Sequence, residues 1–337
     1  MTRIFSLVGA CGLGLLGAAA SAQTLEQVRD RGVLRCGVDG GLAGFSAPDD
    51  NGQMRGIDAD VCFAISAAVF GDASKVEFVP LTAKERFTAL SSGEIDVLSR
   101  NTTHTARRDT SLGVNFTYYN YIDGQGFLVA AELGVTSATE LDGAQVCVQS
   151  GTSTEKTLAA YFQASGMEYV PVSYDTSVQT REGYESGACN VLTADKSQLA
   201  AIRTELADPS GSVILPETVS KEPLGPVVAQ GDDAWANIVR WTLYAMINAD
   251  ELGVSSENVD TIVSEGSNDL YTRLLLGLEG DSGQNLGLAN DWGYQIIKQV
   301  GNYDESYQRN VAPLGLPREG TINALWTKGG ILYAPPL

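Results

Sequence analysis

Arg100, Arg107 and Arg108 stand within ten residues in the stretch RNTTHTARRD, together with Thr102, Thr103, Thr105 and the one histidine of the chain, His104. Three readings fit those residue types. A histidine among hydroxyls is raw material for acid–base or nucleophilic chemistry. Arginines and threonines also suit the capture of a small anion through charge-assisted hydrogen bonds. The third reading is a solvated loop. A hydrolase triad needs a nucleophile and an orienting acid around the base, so His104 alone is read as a partly packed or solvated residue. A second hydroxyl-rich stretch is SGTSTEK, Ser150–Lys156. Its Ser153-Thr154-Glu155-Lys156 has the S-x-x-K form found in β-lactamases, but no SDN or KTG accompanies it.

The elements around these two loops explain why they matter. The chain from residue 32 alternates strand-like and helix-like segments, the pattern of an α/β protein with a largely parallel sheet. GVLRCGVD, KVEFVPL and EIDVLS read as strands, with GIDADVCFAISAAVFG and AKERFTALSSG as helices between them. The rhythm repeats with AQVCVQ, EYVPVSY and ACNVLTA as strands, and helices at STEKTLAAYFQASG, VQTREGYESG and DKSQLAAIRTELA. YIDGQGFLVA joins the two units, and LPETVSKEPLGPVVAQGD leaves the second. The remainder reads as mainly helical, including AWANIVRWTLYAMINADELG and DWGYQIIKQVGNYDESYQRN. In open α/β sheets ligands sit at the carboxyl ends of strands. RNTTHTARRD follows the strand EIDVLS, and SGTSTEK follows AQVCVQ. Thr105 fits a helix N-cap, and Thr152–Glu155 fits a capping box. The two loops hold equivalent places in two units, which favours one shared anionic ligand.

Composition narrows the class. Formal charge is −19, from 22 Lys+Arg against 41 Asp+Glu spread along the chain, which argues against nucleic acid or an anionic membrane as partner. Residues 1–22 read as a cleaved signal peptide: Arg3, an apolar run from Ile4 to Ala20, and a small-x-small site at Ala20-Ser21-Ala22. Cys36, Cys62, Cys147 and Cys189 lie beyond that leader, an even count that suits two disulfides in an oxidising compartment, with three possible pairings. Cys36 falls on the first strand and Cys62 on the helix that packs over it; Cys147 and Cys189 fall on strands of the second unit. The expected pairs are therefore Cys36–Cys62 and Cys147–Cys189. Scattered cysteines and a single histidine make a metal site unexpected.

The run GFSAPDDNGQMRGIDADVCFAIS, then ALSSGEIDVLSRNTTHTARRD, QSGTSTEKT and SGACNVLTAD, resembles the periplasmic amino-acid-binding proteins of ABC uptake systems. The tail segments KEPLGPVVAQGDDAW, NDWGYQIIKQVGNY and ALWTKGGILYAPP resemble the long, general L-amino-acid-binding subgroup. The resemblance implies a two-lobe type II binding-protein fold of mixed, mostly parallel sheets joined by two crossover strands. Lobe one would comprise residues 23–123 and 222–337, and lobe two residues 124–221. It implies a periplasmic monomer that captures L-amino acids for an ABC permease, with no cofactor and no catalysis. A dehydratase-like enzyme on the same scaffold is the alternative.

Residue by residue, the resemblance implies that Arg108 holds the ligand α-carboxylate and that Thr103 hydrogen-bonds the ligand, with further polar contacts around Asn101. Gly151, Thr152 and Ser153 would close over the carboxylate, and Asp195 would pair with the α-ammonium. Phe45 matches an aromatic floor, and Asp39 sits where the pocket approaches the ligand side chain. Leu42 stands where the family often has a tyrosine. Arg100 either reaches the ligand side chain, favouring acidic or amide ligands, or is tied up by Asp39 or Asp96.

Overall fold

The computed structural model describes residues 23–337; the leader expected over 1–22 lies outside the described residues. Two five-stranded sheets organise the chain. The first has the order β4-β1-β5-β14-β6, formed by β4 (Val76–Pro80), β1 (Leu34–Val38), β5 (Val97–Leu98), β14 (Val227–Ala229) and β6 (Val114–Phe116). The second has the order β10-β9-β11-β8-β12, formed by β10 (Tyr169–Tyr174), β9 (Ala144–Gln149), β11 (Val191–Asp195), β8 (Gln125–Ala130) and β12 (Ser212–Ile214). Each sheet has the same plan. Three parallel strands, β4, β1 and β5 or β10, β9 and β11, are followed by an antiparallel strand, β14 or β8, that enters directly from a crossover.

The crossovers themselves are β7 (Tyr121–Asp123) and β13 (Glu222–Leu224), paired antiparallel with Asp123 opposite Glu222. This ribbon links the two sheet bodies. A small hairpin, β2 (Ala47–Pro48) with β3 (Met54–Arg55), lies off the first sheet. The crossovers fall in YIDGQGFLVA and LPETVSKEPLGPVVAQGD, which residue patterning marks only as connecting segments and the family resemblance marks as two crossover strands. They are three residues long, too short to show a strand period.

Helix α1 (Gln23–Arg31) precedes the first sheet, and α2 (Ile57–Phe70) follows the small hairpin. The sequence suggested one apolar stripe for α2, through Val61, Ile65 and Ala68. In the fold nearly the whole of α2 is buried, Asp58 and Asp60 included, because β1, the long α8 (Asp233–Leu252) and the helix Trp292–Gln299 all pack on it. A helix that is apolar nearly all round belongs inside a core. Gly56, at φ 127°, precedes α2, where a Cβ would lie 2.0 Å from the Phe45 carbonyl oxygen. Only glycine permits that approach, and it lets the Asp58 and Ala59 amides donate to the Phe45 carbonyl at 3.0 and 3.2 Å.

Both expected disulfides are present. Cys36–Cys62 fastens β1 to α2, and Cys147–Cys189 fastens β9 to the turn entering β11. The segment DWGYQIIKQVGNYDESYQRN is two helices, Trp292–Gln299 and Tyr303–Asn310. Gly301 turns the chain at φ +95°, and Asn302 with Glu305 caps the second helix reciprocally.

Candidate functional site

The two hydroxyl-rich loops meet across the cleft between the lobes. On the first side, β5 leads through residues 99–105 into the short helix α4 (Ala106–Ser111). Asn101 has φ +33°, in the left-handed region, and that bend is held by its neighbours. Its amide donates to the buried Asp58 carboxylate at 2.6 Å, which also accepts from Asn120 Nδ2 at 2.7 Å and Ser99 Oγ at 3.2 Å. Arg86, on helix α3 (Arg86–Ser91), braces the same loop from beneath, donating to the Arg100 carbonyl at 3.3 Å and to Thr102 Oγ1 at 3.2 Å. Thr105 caps α4 by accepting from the Arg108 amide.

On the second side, α5 (Ser153–Ser165) follows β9 through Gly151, at φ +78°. Thr152 caps α5 by accepting from the Glu155 amide at 3.1 Å, and its hydroxyl donates to the Gln149 carbonyl at 2.7 Å. The capping box is incomplete: the Glu155 carboxylate accepts from the Gly151 amide at 3.0 Å and not from Thr152. Both functions of the Thr152 hydroxyl are thus used inside its own loop, so of the expected contacts from Thr152 only its backbone N–H remains for a ligand. Helices α6 (Ser177–Glu185) and α7 (Lys196–Glu205) begin beside it, so three helix N-termini of this lobe follow strands β9, β10 and β11 toward the cleft.

Side chains bridge the lobes directly. The hydroxyls of Thr103 and Ser153 are 3.0 Å apart, and Ser153 donates onward to Glu222 Oε2 at 2.9 Å on the crossover ribbon. Ser153 has one proton to give, so Thr103 is the donor to it. Ser177 Oγ donates to Asp39 Oδ1 at 2.8 Å, Asn101 Nδ2 lies 3.4 Å from Gln198 Oε1, and Lys84 pairs with Asp175 at 2.7 Å. The structure is therefore a closed one.

Arg100 is tied to Asp39. The pair is 2.5 Å apart with both side chains almost fully buried, and Arg100 Nε also donates to the Leu81 carbonyl at 2.8 Å. Asp96, the other partner considered for Arg100, instead pairs with Arg31. Phe45 is 1 % exposed, with its ring edge-on to Tyr121 at 5.6 Å. His104 stacks on Phe116 at 4.3 Å, and its Nδ1 is 3.2 Å from the Tyr119 hydroxyl. Packing absorbs it, as the sequence reading held.

Two buried groups of opposite sign are left incompletely matched. Arg108 donates through Nη1 to the Thr103 carbonyl at 2.8 Å and lies over the Phe87 ring at 5.4 Å. It has no carboxylate within ion-pair distance among the described residues. Burial lowers its pKa to about 10, against the pull of Glu222 and Asp195. Asp195, at the end of β11, is 5 % exposed, and its Oδ1 has no hydrogen-bond partner. Burial, then the charges of Asp123 and Glu222, hold it well above the ordinary carboxylate range, although Arg108 and Arg86 pull the other way. Asp123 is raised to about 6, chiefly by burial. A buried ionisable oxygen without a partner is costly. A ligand bearing both an ammonium and a carboxylate would relieve both groups at once.

Sequence reasoning missed Arg86, Asp58, Ser177 and Glu222. Arg86 and Asp58 lie in segments read as helices, and nothing in their local spacing marks them as buried. Glu222 lies in a stretch read as a connection.

The family model of bacterial extracellular solute-binding proteins, family 3, matches residues 34–258. The chain is 51 % identical over 335 residues to the general L-amino acid-binding periplasmic protein AapJ of Rhizobium johnstonii, covering 98 % of this chain and 97 % of that one. It is 50 % identical over 325 residues to the glutamate/glutamine/aspartate/asparagine-binding protein BztA of Rhodobacter capsulatus, covering 96 % and 95 %. A periplasmic binding protein of an ABC transporter from Brucella ovis, solved with glutathione bound, superposes with a TM-score of 0.89 at 49 % identity, over 94 % of this chain and 99 % of that one. These relatives are solute-binding proteins, not enzymes. With a matched family model over most of its length and relatives of such identity end to end, the chain belongs to the bacterial extracellular solute-binding proteins, family 3.

Proposed function

We propose that this protein captures L-amino acids in the periplasm and hands them to the permease of an ABC transporter. It performs no chemistry on the ligand. The observation that carries this reading is the pair of unmatched buried groups in one cleft: Arg108 without a carboxylate partner, and Asp195 with an unpartnered Oδ1. An α-amino acid supplies both missing charges. Arg108 takes the α-carboxylate as a two-pronged pair, with Thr103, Ser153 and the amides at Gly151–Ser153 around it. Asp195 takes the α-ammonium, which lowers its raised pKa and keeps it ionised.

Asp39, Arg100, Asn101 and Phe45 form the remaining wall of the site. Because Arg100 is neutralised by Asp39, that wall presents polar groups with little net charge, which suits amide as well as acidic side chains. The name of BztA spans the same chemistry in a relative. Lobe one comprises residues 23–123 and 222–337, and lobe two residues 124–221, hinged at the β7–β13 ribbon. Residues 1–22 are removed on export, and the mature protein works as a monomer.

Calorimetry on protein stripped of co-purified ligand, titrated with each of the common L-amino acids, tests the reading. Saturable one-to-one binding of several polar or acidic L-amino acids, and none of their decarboxylated amines, is expected. Absence of binding by every amino acid would overturn it.

A further inference from the structure

Residues 259–337 lie beyond the stretch that the family model matches, yet they reach both the pivot and the moving lobe. Three consecutive residues at the start of the first crossover are each held by this segment. The Tyr303 hydroxyl donates to the Asn120 carbonyl at 2.7 Å, and the Tyr307 ring stacks on Tyr121 at 6.1 Å. Asn323 takes both backbone groups of Ile122, accepting from its amide at 2.7 Å and donating to its carbonyl at 2.9 Å. Arg318 locks Asn323 in place. Its Nε donates to the Asn323 carbonyl at 3.0 Å, its Nη1 pairs with Asp250 at 2.6 Å and Asp304 at 2.7 Å, and its guanidinium lies over the Tyr303 ring at 4.7 Å. The segment is therefore fixed to the lobe-one end of the hinge.

The same segment meets lobe two at the turn Ala312–Leu314, on which helix α7 packs. α7 is buried on two opposite faces. Leu199, Ile202 and Leu206, spaced i, i+3 and i+7, enter the core of lobe two. Ala200 and Ala201 point the other way and join the core of lobe one, in one apolar cluster with Leu42, Val311 and Leu314. Among the described residues, no other fully buried apolar residue of 124–221 belongs to that cluster. The contact is close. A Cβ on Gly44 would lie 2.6 Å from Leu314 Cδ1, so the turn rests directly on the loop that carries Leu42. The seam where Leu42 faces Val178 and Ile202 leaves a space of only about 10 Å³. Alanines let α7 come this near, and a larger side chain has no room there.

We propose that residues 259–337 form a closing seat, a body fixed to the hinge that receives the Ala200–Ala201 face of α7 only when the lobes close. The inference rests on the amino-acid-binding reading and adds to it a source of affinity that does not depend on the ligand's identity. The ligand's charges select what is bound, and the seat sets how far that binding energy must go to hold the lobes shut. α7 follows Asp195 and carries Gln198, which faces Asn101 across the cleft, so seating α7 also fixes the lobe-two side of the pocket. Leu314, Ala200 and Ala201 are positioning residues, acting through α7 and not by touching the ligand. Destabilising the closed state raises Kd for every ligand by the same factor.

Calorimetry, stopped-flow release and thermal melts on ligand-stripped protein test it, with L-glutamine and L-glutamate as probes. Ala201→Leu keeps a strong helix former in α7 and drives a wedge into the seam. It should weaken both probes by the same factor, roughly fivefold to a hundredfold, with the loss in the release rate. Leu314→Ala should weaken both by roughly threefold to tenfold. The ligand-free Tm of Ala201→Leu should match wild type, because the open form does not make the contact, while the rise in Tm on adding ligand shrinks. A ligand-free Tm lowered as far as the liganded one would mark a permanent core contact and overturn the seat. So would unchanged affinity in both variants, or a loss confined to one probe. Failure of the wild type to bind any amino acid would instead remove the underlying amino-acid reading.

Discussion

Replacing Arg108 by alanine should abolish most of the affinity for every L-amino acid. Arg108 is 8 % exposed, and among the described residues its side chain makes one hydrogen bond, to the Thr103 carbonyl. Burial outweighs the pull of Glu222 and Asp195 on its pKa, so the fold holds this charge at a net cost until an anion arrives. Truncating one partner of a buried, hydrogen-bonded charge pair costs about 2–5 kcal/mol of binding. At about 1.4 kcal/mol per tenfold, that is a loss of roughly 30-fold to several-thousand-fold in Kd. The ligand-free protein should change less. Loss of the bond to Thr103 costs about 1 kcal/mol, and removal of an under-compensated buried charge offsets part of it. Arg108→Lys keeps the charge but loses the planar fork, and should fall between wild type and Arg108→Ala. Arg107→Ala is the control, with little effect on single amino acids. Calorimetry on stripped, refolded protein gives the affinities, and circular dichroism checks the fold. A folded Arg108→Ala protein with near-wild-type affinity would refute the reasoning.

Three further outcomes follow from the same geometry. Asp195→Asn should weaken all amino-acid ligands alike, because the α-ammonium is common to them; a loss confined to one ligand class, seen by thermal shift, would move Asp195 into the side-chain pocket. Asp195 and Asp123 are raised in the folded state, Asp123 to about 6, so the ligand-free fold gains from their protonation at low pH and loses that stability as pH rises through their folded values. Ammonium binding needs Asp195 ionised, so affinity and the ligand-induced rise in Tm should be larger at pH 7.5 than at pH 5; the opposite order would count against the pairing. Replacing either cysteine pair by serine should cost about 3–4 kcal/mol of stability, from loops closed over 26 and 42 residues, yet leave the order of ligand preference unchanged, since each disulfide lies within one lobe; calorimetric ranking of ligands on the two variants checks this.

Much of this was readable before any coordinates. The parallel strands of both sheets are short runs rich in apolar and β-branched residues, and helices α2 and α5 end where glycine stops them, at Gly71 and Gly166. The cysteine pairs followed from the elements that carry them. The two loops were marked by hydroxyls and arginines at the carboxyl ends of strands. What escaped was either short or tertiary in origin. The crossover strands β7 and β13 were implied by the family resemblance, but they span three residues each, so their antiparallel pairing and the placement of Asp123 opposite Glu222 leave no periodic trace. Arg86 in AKERFTALSSG is spaced like a solvent-facing charge. It is buried because the loop carrying Arg100 and Thr102 folds back over it. Thr152 was read as a ligand contact from the family resemblance. Its hydroxyl is used by the cap and by Gln149, and hydroxyl rotors are assigned locally only once the turn is built.

Closure on the ligand is the central claim, and small-angle scattering measures it most directly. Thr103–Ser153, Asp39–Ser177 and Lys84–Asp175 join the lobes in the closed form, but Arg108 and Asp195 remain unmatched in it, and on the proposed reading a zwitterion bridges them. Binding must therefore supply the free-energy difference between open and closed states. Protein stripped of ligand should have a larger radius of gyration than the same protein saturated with L-glutamine, and the saturated curve should match the closed structure. A radius that is already that of the closed form without ligand, and unchanged on saturation, would contradict the account.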